Sequence, residues 1–452
     1  MASRPAESRD DRRPVRVQAR PQPRAHARSA IAPVVAVEPR GSSPAQLTAS
    51  TVRVNTLMLA LATAVGLAIV QLQSALSAIS MEVITGQAAV AGLGPALYFL
   101  GNGVAAVPAG RLMDRMGRVP GISIGFLMAT AGAGLLFAGT AFTNVVVFLV
   151  GQLALGAGLG VVQLARAGAA DMYPPERRGT GIGFVLVGAA VGAMISPILF
   201  NPLLTGRSVN AASLSAPWLL ACAVAALGAG LVWVIRVDPL TLARGGDAPT
   251  SPSSRETGRS LRLIYAARGA RSALVAGIAA QMVMTSGMML VSLEMRHHGH
   301  DLATISGTLA VHFVAMFGLS PIVGVLADRV GRRHTLIGGL LVIAAGVALL
   351  PVSMELTTLL PAMFALGLGW NATYLGATAV IADGTEPTER ARALGAADLL
   401  SLVGAALAAA LSAALLAAMG LLVVAALGVL CALFPAAFLT GLLQRLPTPA
   451  RA

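Results

Sequence analysis

Imidazole and thioether side chains recur at helical spacing in the second half of this 452-residue chain. His312 and Met316 stand four residues apart, and so do Met284 and Met288. Residues four apart share one face of a helix. Counted along a helix, His312 lies about 16 Å from Asp301 and Met284 about 15 Å from Glu294. The two pairs therefore reach a common depth if their helices are antiparallel neighbours. Thioether sulfur with imidazole suits a soft ion such as Cu(I). His297, His298, His300 and Asp301, in the loop between, would be a first landing site. The same residues also have plainer roles. Methionine fills space in apolar helices, and His312 alone serves as a proton relay or a packed core residue.

Ionisable groups inside an apolar run are costly and count as functional candidates. Asp398, about 9 Å beyond Arg392 along a helix, is either a proton carrier or a partner of nearby arginines. Arg166, near the end of its run, snorkels or pairs with Asp171. Gln71, Gln73, Asn102, Gln163, Gln281, Trp370, Asn371 and Tyr374 are further candidates for lining a cavity. Amides and aromatics suit an uncharged or amphipathic organic solute as well as they suit helix packing. Gln71 and Gln73 cannot face the same way on one helix. The candidate substrate or proton site is thus Met284, Met288, His312, Met316, Asp398, Asn371 and Tyr374, its first four residues doubling as the metal candidate.

The elements that must hold these groups are membrane helices. The chain is 56% hydrophobic and 11% charged, where soluble domains carry about 25% charged residues. Apolar runs of roughly 20 residues recur throughout, each long enough to span a bilayer. Twelve such runs predict an all-α membrane protein. The expected divisions are a disordered Arg/Pro/Ala-rich tail (1–53), a six-helix bundle (54–236), a linker (237–271), a second six-helix bundle (272–443) and a short C-terminal tail (444–452). The net charge of +13 comes from arginine, without a single lysine. Arginine gathers in the tails, the linker and the loops of one face, while the opposite face has little beyond Arg207 and Arg296. By the positive-inside rule the first face is cytoplasmic, with both termini on it. This explains the basic balance without nucleic acid. Cys222 and Cys431 lie in apolar runs and read as inert core residues.

One loop occurs twice. Residues 110–118 read GRLMDRMGR and residues 324–332 read GVLADRVGR. Gly110 and Gly324 are expected where one helix ends. Asp114 and Asp328 are placed to cap or pair with a neighbouring helix N-terminus. Arg115, Arg118, Arg329 and Arg332 can make charge-assisted bonds to carboxylates. Asp171, before Pro-Pro-Glu-Arg-Arg, and Asp383, before Glu-Pro-Thr-Glu-Arg, end apolar runs on the same face and are the expected partners. A duplicated half is a mark of transporter folds.

These loops resemble the signature of the major facilitator superfamily between helices 2 and 3 and its repeat between helices 8 and 9. The resemblance covers the twelve helices but not the tail. It implies two pseudo-symmetric bundles, a substrate path between them, and rocking between outward- and inward-open states. It also implies a conformational gate at Asp114, Arg115, Arg118, Asp171, Asp328, Arg329, Arg332 and Asp383. Many drug antiporters of the superfamily carry an arginine where this chain has Gln152, and their helix 5 signature survives only in part at Gly188, Gly192, Ser196 and Pro197. The Met284/Met288 and His312/Met316 motifs resemble a bacterial branch that imports copper; a related branch carries riboflavin.

The sequence therefore predicts a secondary transporter of a small solute, acting by alternating access in a bacterial-type cytoplasmic membrane. Proton coupling is a hypothesis motivated by His312 and Asp398, copper import is one candidate beside another small solute, and efflux of drugs or small organic metabolites is the alternative. A non-transporting sensor would need a signalling domain that the linker and tail do not offer. Neither an enzymatic site nor a cofactor is expected, and the protein is read as a monomer. The lack of a Gly-Lys-Ser/Thr loop argues against ATP drive.

Overall fold

A computed structural model describes residues 44–173, 178–235, 237–243 and 259–443. Most of the predicted N-terminal tail, Arg177, linker positions 244–258 and the C-terminal tail lie outside the described residues. The spanning helices are α1 (Pro44–Thr85), α2 (Leu93–Met116), α3 (Arg118–Ala141), α4 (Val145–Val162, continued by Ala165–Asp171), α5 (Arg178–Phe200) and α6 (Ala211–Trp233). After the linker follow α7 (Arg268–His297), α8 (Leu302–Phe313 and Ser320–Val330, joined by a π-turn at Val314–Gly318), α9 (Arg332–Leu349), α10 (Leu356–Asp383), α11 (Pro387–Met419) and α12 (Leu421–Leu443). No strand occurs among the described residues.

Among the described residues ten runs are individually long and apolar enough to cross a bilayer, and the two parts of α8, bent by 47°, make an eleventh. One of the ten, Arg392–Leu439, has 48 residues. A straight helix of that length would be about 72 Å long, more than twice a hydrocarbon core of about 30 Å. It is instead two helices meeting at Gly420, which brings the count to twelve.

The packing repeats with a period of six helices. Within the first half α3 packs on α4 and α6, α1 on α5 and α6, and α2 on α4. Within the second half α9 packs on α10 and α12, α7 on α11 and α12, and α8 on α10. The contacts across the seam obey the same exchange: α2 meets α11, α5 meets α8, and α1 meets α7. Small residues bring some of these axes together. Gly188 and Gly192 of α5 lie against the backbone of Ala60 and Ala64 in α1, where a Cβ would collide with main-chain atoms. In lipid such close van der Waals approach replaces the hydrophobic drive between helices.

Three expectations change. Gly110 and Gly324 lie inside α2 and α8, with no atom of another element near the position of a Cβ. The turn falls instead at Gly117 and Gly331, whose φ of 100° and 92° end one helix and start the next in a single residue. Only glycine adopts such a backbone at low cost. Second, α1 starts at Pro44, within the stretch assigned to the tail, because proline suits the first position of a helix. Third, the linker is partly helical, at Pro239–Ala243 and Leu261–Ala266.

Candidate functional site

The two loop copies differ in how firmly they are held. In the first, Arg118 Nε donates to Asp171 at 2.8 Å and Nη1 to Asp114 at 3.0 Å, with only 13% of its side chain exposed. The N-terminus of α3 is capped by Asp238 rather than by Asp114. Its carboxylate accepts from the backbone N–H of Arg118 (3.1 Å) and Val119 (2.8 Å). In the second copy Arg332 pairs with Asp383 and also donates to the Ala379 carbonyl. Arg115, Asp328 and Arg329 are exposed.

At the arginine-poor face the bundles are joined by charge. Glu82, at the end of α1, accepts from Arg296 (2.5 Å) and from His297 (3.0 Å) of α7. Deeper in, Gln71 donates to the Ser306 carbonyl at 3.0 Å and Ser292 to the Ser74 carbonyl at 3.3 Å. Gln73 turns the other way and donates to Gln152 at 3.4 Å, inside the first bundle. The residues read as a landing site are dispersed. His298 bonds to the Glu294 carbonyl, His300 to the Met354 carbonyl, and Asp301 caps the Thr304 N–H. Among the described residues no group of three or more His, Cys, Asp or Glu side chains could hold a metal.

Towards the arginine-rich face a different assembly spans the seam. Arg166 of α4 faces Asp398 of α11 at 3.6 Å, so its partner is neither Asp171 nor water alone. Likewise, Asp398 pairs with an arginine of the other bundle rather than of the loops. Tyr374 of α10 interacts with both charges. From Tyr374 a row of rings runs back along α10 and α8. Tyr374 stacks on Trp370 (4.8 Å, 7°), Phe317 meets Trp370 edge-on (6.4 Å), Phe313 stacks on Phe317 (6.3 Å), and His312 abuts Phe313 (5.5 Å). Residues 370 and 374 share a face by their spacing, and the Trp370 indole N–H is fixed by Gln281 Oε1 of α7 at 2.8 Å. A small cleft with about 20 Å³ of room opens between α7, α10 and α11 of the second bundle, with Tyr374, Thr378, Asp398 and Ser401 in its walls.

His312 is fully buried and donates from Nδ1 to the Met363 carbonyl at 3.2 Å, and Nε2 has no hydrogen-bond partner among the described residues. Met284, Met288 and Met316 are buried in the same apolar core. Met316 lies within the π-turn, however, so it is not one regular helical turn beyond His312. Asn371 accepts from Ser320 at 3.3 Å, and its Nδ2 has no hydrogen-bond partner among the described residues.

Four contributors, Glu82, Asp238, Glu389 and Arg259, are not singled out by the sequence. Glu82 and Arg296 are 214 positions apart, the same offset as the doubled loop, so opposite charges at matching places were a readable signal. Asp238 carries the Asp-Pro turn signal but nothing that says which helix it caps. The buried Glu389, held by Arg259 at 2.7 Å, stands at the third position of α11, where a capping-box carboxylate belongs. Arg259 gave no signal of its own.

The sequence profile described as Major Facilitator Superfamily matches residues 56–291 and 272–452. The chain is 32% identical over 335 residues to the "Uncharacterized MFS-type transporter YdeG" of Bacillus subtilis (strain 168), covering 73% of this chain and 78% of that protein. It is 26% identical over 353 residues to "Riboflavin transporter RfnT" of Brucella anthropi, covering 78% and 86%. A bacterial homologue of the human lysosomal transporter Spinster, solved in an inward-facing and unoccupied conformation, shares its fold (TM-score 0.64, 16% identity, 91% of this chain and 100% of that one).

Proposed function

The chain belongs to the major facilitator superfamily, a family of transporters and not of enzymes, and from that premise we propose a secondary active transporter of a small organic solute. The carrying observation is the Arg166–Asp398 pair, which joins the two bundles beside Tyr374 and a cleft. Alternating access requires a site whose two sides move relative to each other, and a charge pair split between bundles changes its geometry with that motion. Asp398 is the group assigned to carry a coupling proton, with Arg166 and Tyr374 as the groups facing it. The stacked Trp370 and Tyr374 suit a planar solute, in keeping with a relative described as a riboflavin transporter. The arginine-rich face is taken as cytoplasmic, and the eight loop residues from Asp114 to Asp383 as its gate.

Copper import is the second reading, favoured by the unpartnered His312 Nε2. An imidazole whose Nδ1 donates to a carbonyl presents Nε2 as a ligand, and Met284, Met288 and Met316 are buried in the main apolar core. An uptake screen for copper and for organic solutes, comparing a deletion strain with its complement, tests both. An organic solute whose uptake or export follows the gene, with cell copper unchanged, is the expected result. Copper accumulation lost in His312→Ala and Met284→Ala, with protein still in the membrane, would replace it by the second reading.

A further inference from the structure

We infer that the solute is an organic anion with a planar ring system, and that its anionic group binds Arg166 by displacing Asp398. The inference rests on the transporter reading above and adds the chemistry of the solute to it. Arg166 and Asp398 are 38% and 39% exposed, and 3.6 Å is long for a charge-assisted hydrogen bond. The pair is therefore the loosest ionic contact described on the seam, and its partners can be exchanged. Guanidinium presents a planar fork that a carboxylate, sulfonate or phosphate meets with two parallel bonds. At the end of the ring row Tyr374 is half-buried, and its ring is the part of the row that a planar group entering the cleft would meet. Tyr374 ends that row and lies in the cleft wall together with Asp398. Gln281 holds Trp370 in its stack on Tyr374, which makes Gln281 a positioning residue.

The exchange balances in charge. The solute brings one negative charge to Arg166, and Asp398, released as a carboxylate, takes one proton from the compartment to which the cleft opens. Anion and proton then cross together, and the reverse exchange restores the ion pair. A neutral solute would have to leave the ion pair in place.

The test uses the full-length protein in detergent, with binding followed by quenching of tryptophan emission and by calorimetry. The probes are naphthalene-2-sulfonate, its neutral counterpart naphthalene-2-sulfonamide, and cyclohexanesulfonate. Naphthalene-2-sulfonate should bind about tenfold to a hundredfold tighter than the sulfonamide, as expected for a charge-assisted bidentate contact. Cyclohexanesulfonate should bind more weakly than naphthalene-2-sulfonate. Arg166→Gln should erase the difference between sulfonate and sulfonamide while the sulfonamide still binds. Asp398→Asn, which removes the competing carboxylate, should tighten the sulfonate. Equal affinity for sulfonate and sulfonamide, or a preference that survives Arg166→Gln, overturns the inference and leaves the transporter reading standing. So does binding of none of the probes while the deletion strain still shows a solute phenotype. A merely structural ion pair would give weaker sulfonate binding in Asp398→Asn, and that result also overturns it.

Discussion

At the arginine-poor end of the seam, Glu82 receives both Arg296 and His297 and is 15% exposed, whereas at the other end Arg166 and Asp398 face each other at 3.6 Å with more than a third of each side chain exposed. Charge-assisted hydrogen bonds of the first kind are worth about 1.5–3 kcal/mol each. The second pair is longer than a charge-assisted hydrogen bond and is held less tightly. The first end is therefore built to stay shut in this conformation and the second to let go. A carrier that moves solute between two compartments needs that inequality, because only a weak pair can be exchanged for a solute.

The largest effect should come from breaking the strong end. Glu82→Ala leaves Arg296 and His297 without their shared carboxylate. Labelling of an introduced Ser306→Cys thiol by an impermeant maleimide should accelerate about tenfold or more, the equivalent of one lost charge-assisted bond. Unchanged labelling would mean that Glu82 does not hold this face closed. A smaller effect is expected at the ring row. Gln281→Leu leaves the Trp370 indole N–H buried and unpaired, at a cost of about 1–3 kcal/mol, and should weaken naphthalene-2-sulfonamide binding several-fold. The ratio of sulfonate to sulfonamide affinity should be preserved, since Arg166 is untouched. Loss of that ratio would show the two ends of the site to be one unit.

The smallest effect serves as a control away from the seam. The Arg259 guanidinium beside Glu389 holds that carboxyl down to about 2. A carboxylate with a depressed value stabilises the fold fully above the ordinary glutamate value of about 4.3, and the contribution is lost as pH falls from there towards 2. Thermal unfolding of the detergent-solubilised protein should lose part of its acid sensitivity in Glu389→Gln between those limits. The Ser306→Cys labelling rate should not change, because Arg259 and Glu389 join the linker to a single bundle.

The parts of this account that were legible in the sequence are those written locally. Apolar length predicts the spans, the doubled loop predicts the halves, and Asp171 reads as a partner for the loop arginines because both lie at helix ends on one face. Pairings across the seam are not local. Arg166 lies five positions from Asp171 in the chain, yet the helix points it to Asp398 in the other bundle. Asp238 follows α6 and caps α3, a pairing that depends on how the two helices pack. Gly117, rather than Gly110, makes the turn, because the helix runs on through Asp114 until a positive φ is needed. The methionine and histidine spacings assumed a regular helix, and the π-turn at Val314–Gly318 breaks that assumption.

The central claim is that the weak pair on the seam couples a proton to the solute. It is tested most directly by uptake of naphthalene-2-sulfonate into proteoliposomes under an imposed pH gradient. The wild-type protein should accumulate the probe above its outside concentration only when the gradient is present, and Asp398→Asn should equilibrate it without responding to the gradient. Accumulation by Asp398→Asn equal to that of wild type, or wild-type uptake indifferent to the gradient, would contradict the account.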